Sequence, residues 1–168
     1  MSAVQSLLSE FKQEAATTRR LLERVPEDRT SWKPHPKSLS IGELSLHVAS
    51  LLSWGSTTLR DREFDMNPPE GERWTPPAFE SMDETLDTFD RNVRDVQGAL
   101  AGATDEQLMQ SWTLKNSGQT VFTLPRGVVL RSFIMNHLVH HRGQLTVYLR
   151  LCDVPLPSIY GPSADEQG

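Results

Sequence analysis

Apolar residues near the start of the chain recur at mostly three- and four-residue steps: Val4, Leu7, Leu8, Phe11, Ala15, Leu21, Leu22 and Val25. That spacing draws one apolar stripe along a helix over residues 4–25, and Pro26 stops it. Beyond the proline-broken passage SWKPHPKSL, Ser40 and Glu43 have the spacing of a capping box, which opens a second helix running to about Leu59. Ser81 and Glu84 repeat the device before Leu86, Phe89, Val93, Val96 and Leu100, the stripe of a third helix. A fourth begins near Pro125, a residue tolerated in a first helical turn, and continues through VVLRSFIMNHLVHHRGQLTVYLRL until DVPLP ends it. Four helices of comparable length predict an all-α protein, a four-helix bundle forming a single domain over residues 1–168.

The connections differ in character. In SWTLKNSGQTVFTL, residues 111–124, turn chemistry at Asn116, Ser117 and Gly118 lies between two short extended runs, which fits a small hairpin before the last helix. Residues 66–80, MNPPEGERWTPPAFE, hold too much proline for regular structure and form a long connection after the second helix. Trp74 in that connection either roofs a site or belongs to a solvated linker. The final PSADEQG has the composition of a disordered end.

Composition narrows the class of function. The formal net charge of -5 and the lack of any basic run argue against direct nucleic-acid binding. The opening MSAVQSLLSEFKQEAATTRR is amphipathic, unlike a secretory leader, and no segment approaches a membrane span, so the expected location is cytoplasmic with no membrane partner. The single cysteine, Cys152, excludes an internal disulfide and reads as core filling, with a reactive thiol the alternative.

Three of the five histidines crowd into NHLVHHRGQL, residues 136–145. At about 100° per residue, Leu130, Phe133, His137, His141, Gln144, Tyr148 and Leu151 share one face within roughly 40°, which predicts imidazoles turned to the core. His137 and His141 are four apart, with Cβ atoms expected about 6 Å apart, so their rings can converge on one ion. His140 lies about 60° from His137 and about 100° from His141, at the edge of the face. On the second helix His47 shares a stripe with Leu44, Leu51 and Trp54, offering a third ligand. The bland reading makes each a satisfied core histidine; three buried imidazoles without partners would be costly, which raises a metal site to a comparable standing.

These residues carry a resemblance. WKPHPKSLSIGELSLHVAS at 32–50, the HxxxHR pattern within NHLVHHRGQL, and VPLPSIYGPSADE near the end resemble, in that order, the DinB/YfiT-like proteins, bacterial four-helix bundles that carry metal sites. Over nearly the whole chain the resemblance implies His47, His137 and His141 as ligands of a divalent metal ion, nickel or zinc, with His140 an extra residue inside the motif. It also implies a homodimer and an activity of hydrolase or thiol-transferase type on an unknown small-molecule substrate.

Three imidazoles leave coordination positions open, as catalytic sites do. The alternative from another class is a noncatalytic metal-binding or stress-associated bundle in which the ion ties the second helix to the fourth. Glu43, one turn before His47, is either an acid-base group or the partner of Ser40 in the helix cap. Gln144 either orients His141 or simply packs; Trp54 and Tyr148 either line a pocket or fill the core. Arg142, about 100° from His141, is expected in a surface or interface salt bridge, and His35, between two prolines, in solvent.

Overall fold

Side-chain caps start several helices of the computed structural model, which describes residues 2–167. Helix α1 (Ala3–Leu22) opens on a box made by Ser2 and Gln5 and buries Phe11, Ala15, Leu21 and Leu22. Helix α2 (Ile41–Ser50) opens as predicted: Ser40 Oγ accepts from the Glu43 N–H at 3.2 Å, and Glu43 Oε2 accepts from the Ser40 N–H at 2.7 Å. The predicted second helix does not reach Leu59 in one piece. It breaks at Leu51 and Leu52 and resumes as α3 (Ser53–Arg60). At the break the Ala49 carbonyl accepts a bond from Asn92 Nδ2 at 3.0 Å, so a side chain 43 residues away takes over the acceptor.

A three-residue strand, β1 (Glu63–Asp65), follows. Helix α4 (Met82–Ala101) is capped by the Ser81 hydroxyl, and the short α5 (Asp105–Met109) carries its own box from Thr104 and Gln107. The carboxylate of Asp105 in turn accepts from the Ala3 and Val4 N–H groups at the start of α1. The hairpin forms from β2 (Ser111–Asn116) and β3 (Gln119–Pro125), turning where Ser117 and Gly118 both have positive φ, 53° and 75°. Strand β1 adds to it in parallel, giving the order β1-β2-β3. The expectation of an all-α class is therefore corrected: the fold is mostly helical, with a small three-stranded sheet and a divided second helix. Parallel pairing of β1 had no local signal; it rests on Asp65, whose carboxylate accepts from the N–H groups of Asn67, Ser117 and Gly118.

The last helix is continuous over 126–151 but not uniform: α6 (Arg126–Val129), a π-helical stretch (Leu130–Met135), then α7 (Asn136–Leu151). Helix α4 packs against α1, α2 and α3, while α7 packs against α2 and α1. The core-facing stripe of the last helix is Leu130, Ile134, Leu138, Arg142, Leu145 and Leu149, all at most 3% exposed. This corrects the projection that put His137 and His141 at its centre, since Phe133 and Leu151 from that face are 45% and 60% exposed. Constant 100° steps ignore the π stretch, and a charged Arg142 was not counted as core.

Arg142 is 1% exposed, not at the surface as expected. It forms a buried ion pair with Glu14 at 2.7 Å and also donates to Thr18 Oγ1 and the Tyr160 hydroxyl. Tyr160 Oη donates onward to Glu14 Oε2 at 2.9 Å. The C-terminal segment, expected to be disordered, is docked by this network and by pairs from Arg150 to Asp165 and Arg24 to Glu166. Cys152 is half-buried against the core, consistent with a filling role. Among the described residues, no helix is long and apolar enough to cross a membrane.

Candidate metal centre

Helix α2 brings His47 to the face of α7 that carries His137 and His141, and all three imidazoles are half-buried. Their Nε2 atoms converge: His47 to His137 is 3.3 Å and His137 to His141 is 2.8 Å. One ring nitrogen from each lies within 4.8 Å of the others, an arrangement that could hold a metal ion. The edge between two nitrogens around a tetrahedral ion with Zn–N of roughly 2.05 Å is about 3.3 Å, so the spread is already close to a coordination shell.

Hydrogen bonds behind the rings set their tautomers. His137 Nδ1 lies 3.3 Å from the Phe133 carbonyl, and His141 Nδ1 lies 2.7 Å from Gln144 Oε1. Both oxygens can only accept, so each Nδ1 carries the proton and each Nε2 presents a lone pair. Two lone pairs facing at 2.8 Å repel unless a cation stands between them. A proton is a poor candidate, because burial lowers the basicity of all three: His47 and His137 fall below the usual imidazole range, and His141 falls to about 4. The donor set therefore fits a divalent metal, which takes neutral imidazole.

The neighbouring residues sort as follows. His140 is exposed, its ring edge-on to His141 at 4.9 Å between centroids, and it is not among the convergent nitrogens. Gln144 does orient His141. Glu43 is held by the Ser40 N–H and by Lys33 at 3.1 Å; these contacts keep its carboxyl below the usual range, so the cap claims it. Tyr148 packs edge-on against Trp32 at 5.8 Å, as core filling. His35 is exposed, its Nδ1 accepting from the Lys37 N–H.

The connection over 66–80 folds back. Its Trp74 N–H donates to the Met66 carbonyl at 2.9 Å, its ring stands 5.4 Å from that of Trp54, and Phe79 lies so close over Gly42 that a Cβ there would sit 2.8 Å from the ring. Two cavities result, and His47, Ser50, Pro76 and Pro77 line both. One, of about 650 Å³, is bordered by Thr30, Lys33, Glu43 and Phe79. The other, of about 240 Å³, is bordered by Trp54, Trp74, Phe122, Phe133 and His137. Trp74 thus lines the smaller cavity beside His47 and His137 while remaining 42% exposed. Sequence reasoning missed Phe122 and Trp112, which only the hairpin brings to the centre; Phe133 carried a signal, one helical turn before His137.

Comparison with known proteins gives the family and the fold. The DinB family profile matches residues 1–167. YrdA of Bacillus subtilis is 24% identical over 163 residues, covering 95% of this chain and 89% of that protein. YjoA of the same organism is 27% identical over 150 residues, covering 86% and 87%. Among solved structures, a DinB-like protein from Bacillus cereus has a TM-score of 0.70 at 23% identity, covering 93% of this chain and 97% of that one. The crystal structure of YjoA has a TM-score of 0.67 at 19% identity, covering 96% and 99%. At these identities the structural likeness speaks for the fold.

Proposed function

The chain belongs to the DinB family, and on that premise we propose that it binds one divalent metal ion, nickel or zinc, through His47, His137 and His141, and acts on a small molecule as a hydrolase or thiol transferase. The observation that carries the reading is the facing pair of Nε2 lone pairs on His137 and His141 at 2.8 Å. A divalent ion there supplies Lewis acidity that lowers the pKa of a water or a thiol. The chain's own residues do the rest. Phe133 and Gln144 hold two imidazoles in the ligating tautomer, while Trp54, Trp74, Pro76 and Pro77 wall the adjoining cavity with apolar surface.

Capture of Glu43 by the helix cap is the observation favouring the noncatalytic alternative, since it removes the nearest acid-base candidate on α2. Two measurements separate the readings. Elemental analysis of protein purified without added metal should find about one divalent ion per chain. The loaded protein should then release nitrophenolate from p-nitrophenyl acetate, or form the thioether from 1-chloro-2,4-dinitrobenzene and cysteine, and His141→Ala should do neither. Metal without either reaction would leave the noncatalytic bundle.

A homodimer belongs to the same proposal. Exposed Val147 and Leu151, one turn apart on α7, support it. Light scattering at micromolar concentration should give twice 18.9 kDa; the monomer mass would refute it.

A further inference from the structure

Glu43, Leu46, His47 and Ser50 follow one another along α2 at three- and four-residue steps, so they share one face of the helix, and all four line the cavity of about 650 Å³. The folded-back connection, residues 76–79, and the segment carrying Lys33 complete the lining. Its volume lies in the ordinary range of small-molecule sites.

Two opposite charges stand in this lining, and both are open to solvent. Lys33 Nζ is 3.1 Å from Glu43 Oε2, with the side chains 40% and 46% exposed. The pair does not exhaust either group. Glu43 Oε2 also accepts from the Ser40 N–H at 2.7 Å, but Oε1 accepts from no group among the described residues. An ammonium has three N–H donors, and Lys33 has no acceptor besides Glu43 among those residues. The Ser40 N–H and then Lys33 hold the Glu43 carboxyl below the usual range, which keeps it ionised at neutral pH. A simple anion approaching Lys33 would meet the Glu43 carboxylate, and a simple cation approaching Glu43 would meet the ammonium. A ligand carrying both charges side by side complements both groups.

We infer that this cavity binds zwitterionic α-amino acids, the ligand carboxylate on Lys33 Nζ and the ligand ammonium on Glu43 Oε1. Leu39, Leu46 and Phe79 offer apolar surface to the ligand's side chain. Glu43 precedes His47 by one turn, about 6 Å between Cβ atoms, so a head group held at the ion pair leaves the rest of the ligand beside the converging imidazoles. As a substrate site the cavity rests on the metal-centre reading; as a binding site it does not.

L-Methionine, N-acetyl-L-methionine and L-methioninamide share one side chain and differ in head-group charge, and calorimetric titration of each into chelator-stripped protein tests the inference. L-Methionine should bind, and the two blocked derivatives should bind about 5- to 10-fold more weakly, because each lacks one of the charged contacts. Lys33→Met should bring L-methionine down to the affinity of L-methioninamide. Glu43→Gln, which keeps an acceptor for the helix cap, should bring it down to that of N-acetyl-L-methionine. No binding of L-methionine, equal binding of the three compounds, or unchanged L-methionine affinity in Lys33→Met overturns the inference. The three compounds decide in the unmodified protein even if a variant misfolds. A parallel zinc titration separates the two proposals: zinc uptake without L-methionine binding removes only the amino-acid site, and L-methionine binding without zinc uptake removes only the metal centre.

Discussion

His137 Nε2 and His141 Nε2 stand 2.8 Å apart, while the Nδ1 of each is turned to an oxygen that can only accept. One turn of helix spaces the rings, and the Phe133 carbonyl and Gln144 amide choose which nitrogen is free. Much of the site's behaviour follows from that choice.

Gln144→Ala should weaken zinc and nickel binding by about 10- to 100-fold, because His141 loses the acceptor that holds its Nδ1–H. Gln144→Glu keeps an acceptor at the same place and should restore most of the affinity. Calorimetric titration of Gln144→Met distinguishes this from simple packing: it keeps the bulk without the acceptor and should bind metal as weakly as Gln144→Ala, whereas a packing role would leave it near the unmodified protein.

The metal-free protein should lose stability as pH falls from 6.5 toward about 4. His47, His137 and His141 bind protons less readily folded than unfolded, chiefly because burial disfavours the charged form. The unfolded chain therefore takes up more protons across that window, and stability present above pH 6.5 is progressively lost. Asp105 and Asp165, whose carboxyls are lowered by hydrogen bonds, respond only below about pH 4, in the range of unfolded carboxyls. Thermal unfolding with chelator between pH 7.5 and 4.5 should show a falling midpoint, and the fall should shrink in His141→Gln. A flat profile in the unmodified protein would contradict the assignment of neutral imidazoles.

Arg142→Ala should cost about 3–5 kcal/mol in urea unfolding, since it strands Glu14, itself only 8% exposed. Replacing both, Arg142→Met with Glu14→Leu, should cost markedly less than Arg142→Ala alone. Additive losses would show that the pair is not coupled.

Trp74→Phe should remove most of the change in tryptophan fluorescence that accompanies metal titration, because Trp74 packs on Trp54 at the wall shared with His47. An unchanged signal in the variant would assign it to another tryptophan and deny the loop a part in reporting the site.

What the sequence revealed was local. Ser40 with Glu43, Asn116 to Gly118, and the i, i+4 histidines each act within one turn, and each appears where its chemistry put it. What stayed hidden depends on partners distant in the chain. The break after α2 involves Asn92 of α4, the burial of Arg142 depends on Glu14 of α1, and docking of the last residues depends on Tyr160 reaching that same pair. The histidine face was misjudged within α7 because the buried stripe there, Leu138, Arg142, Leu145 and Leu149, includes a charged residue that was not counted as core. The histidine cluster survived that error because His137 and His141 remain one turn apart whichever way the helix faces.

The central claim is that His47, His137 and His141 together hold one divalent ion. Titrating zinc and nickel into chelator-stripped protein, alongside His47→Ala, His137→Ala, His141→Ala and His140→Ala, tests it most directly. One site per chain in the unmodified protein, sharply weakened in the first three variants and nearly intact in His140→Ala, is the predicted result; equal loss in His140→Ala and His141→Ala, or no uptake by the unmodified protein, would contradict it.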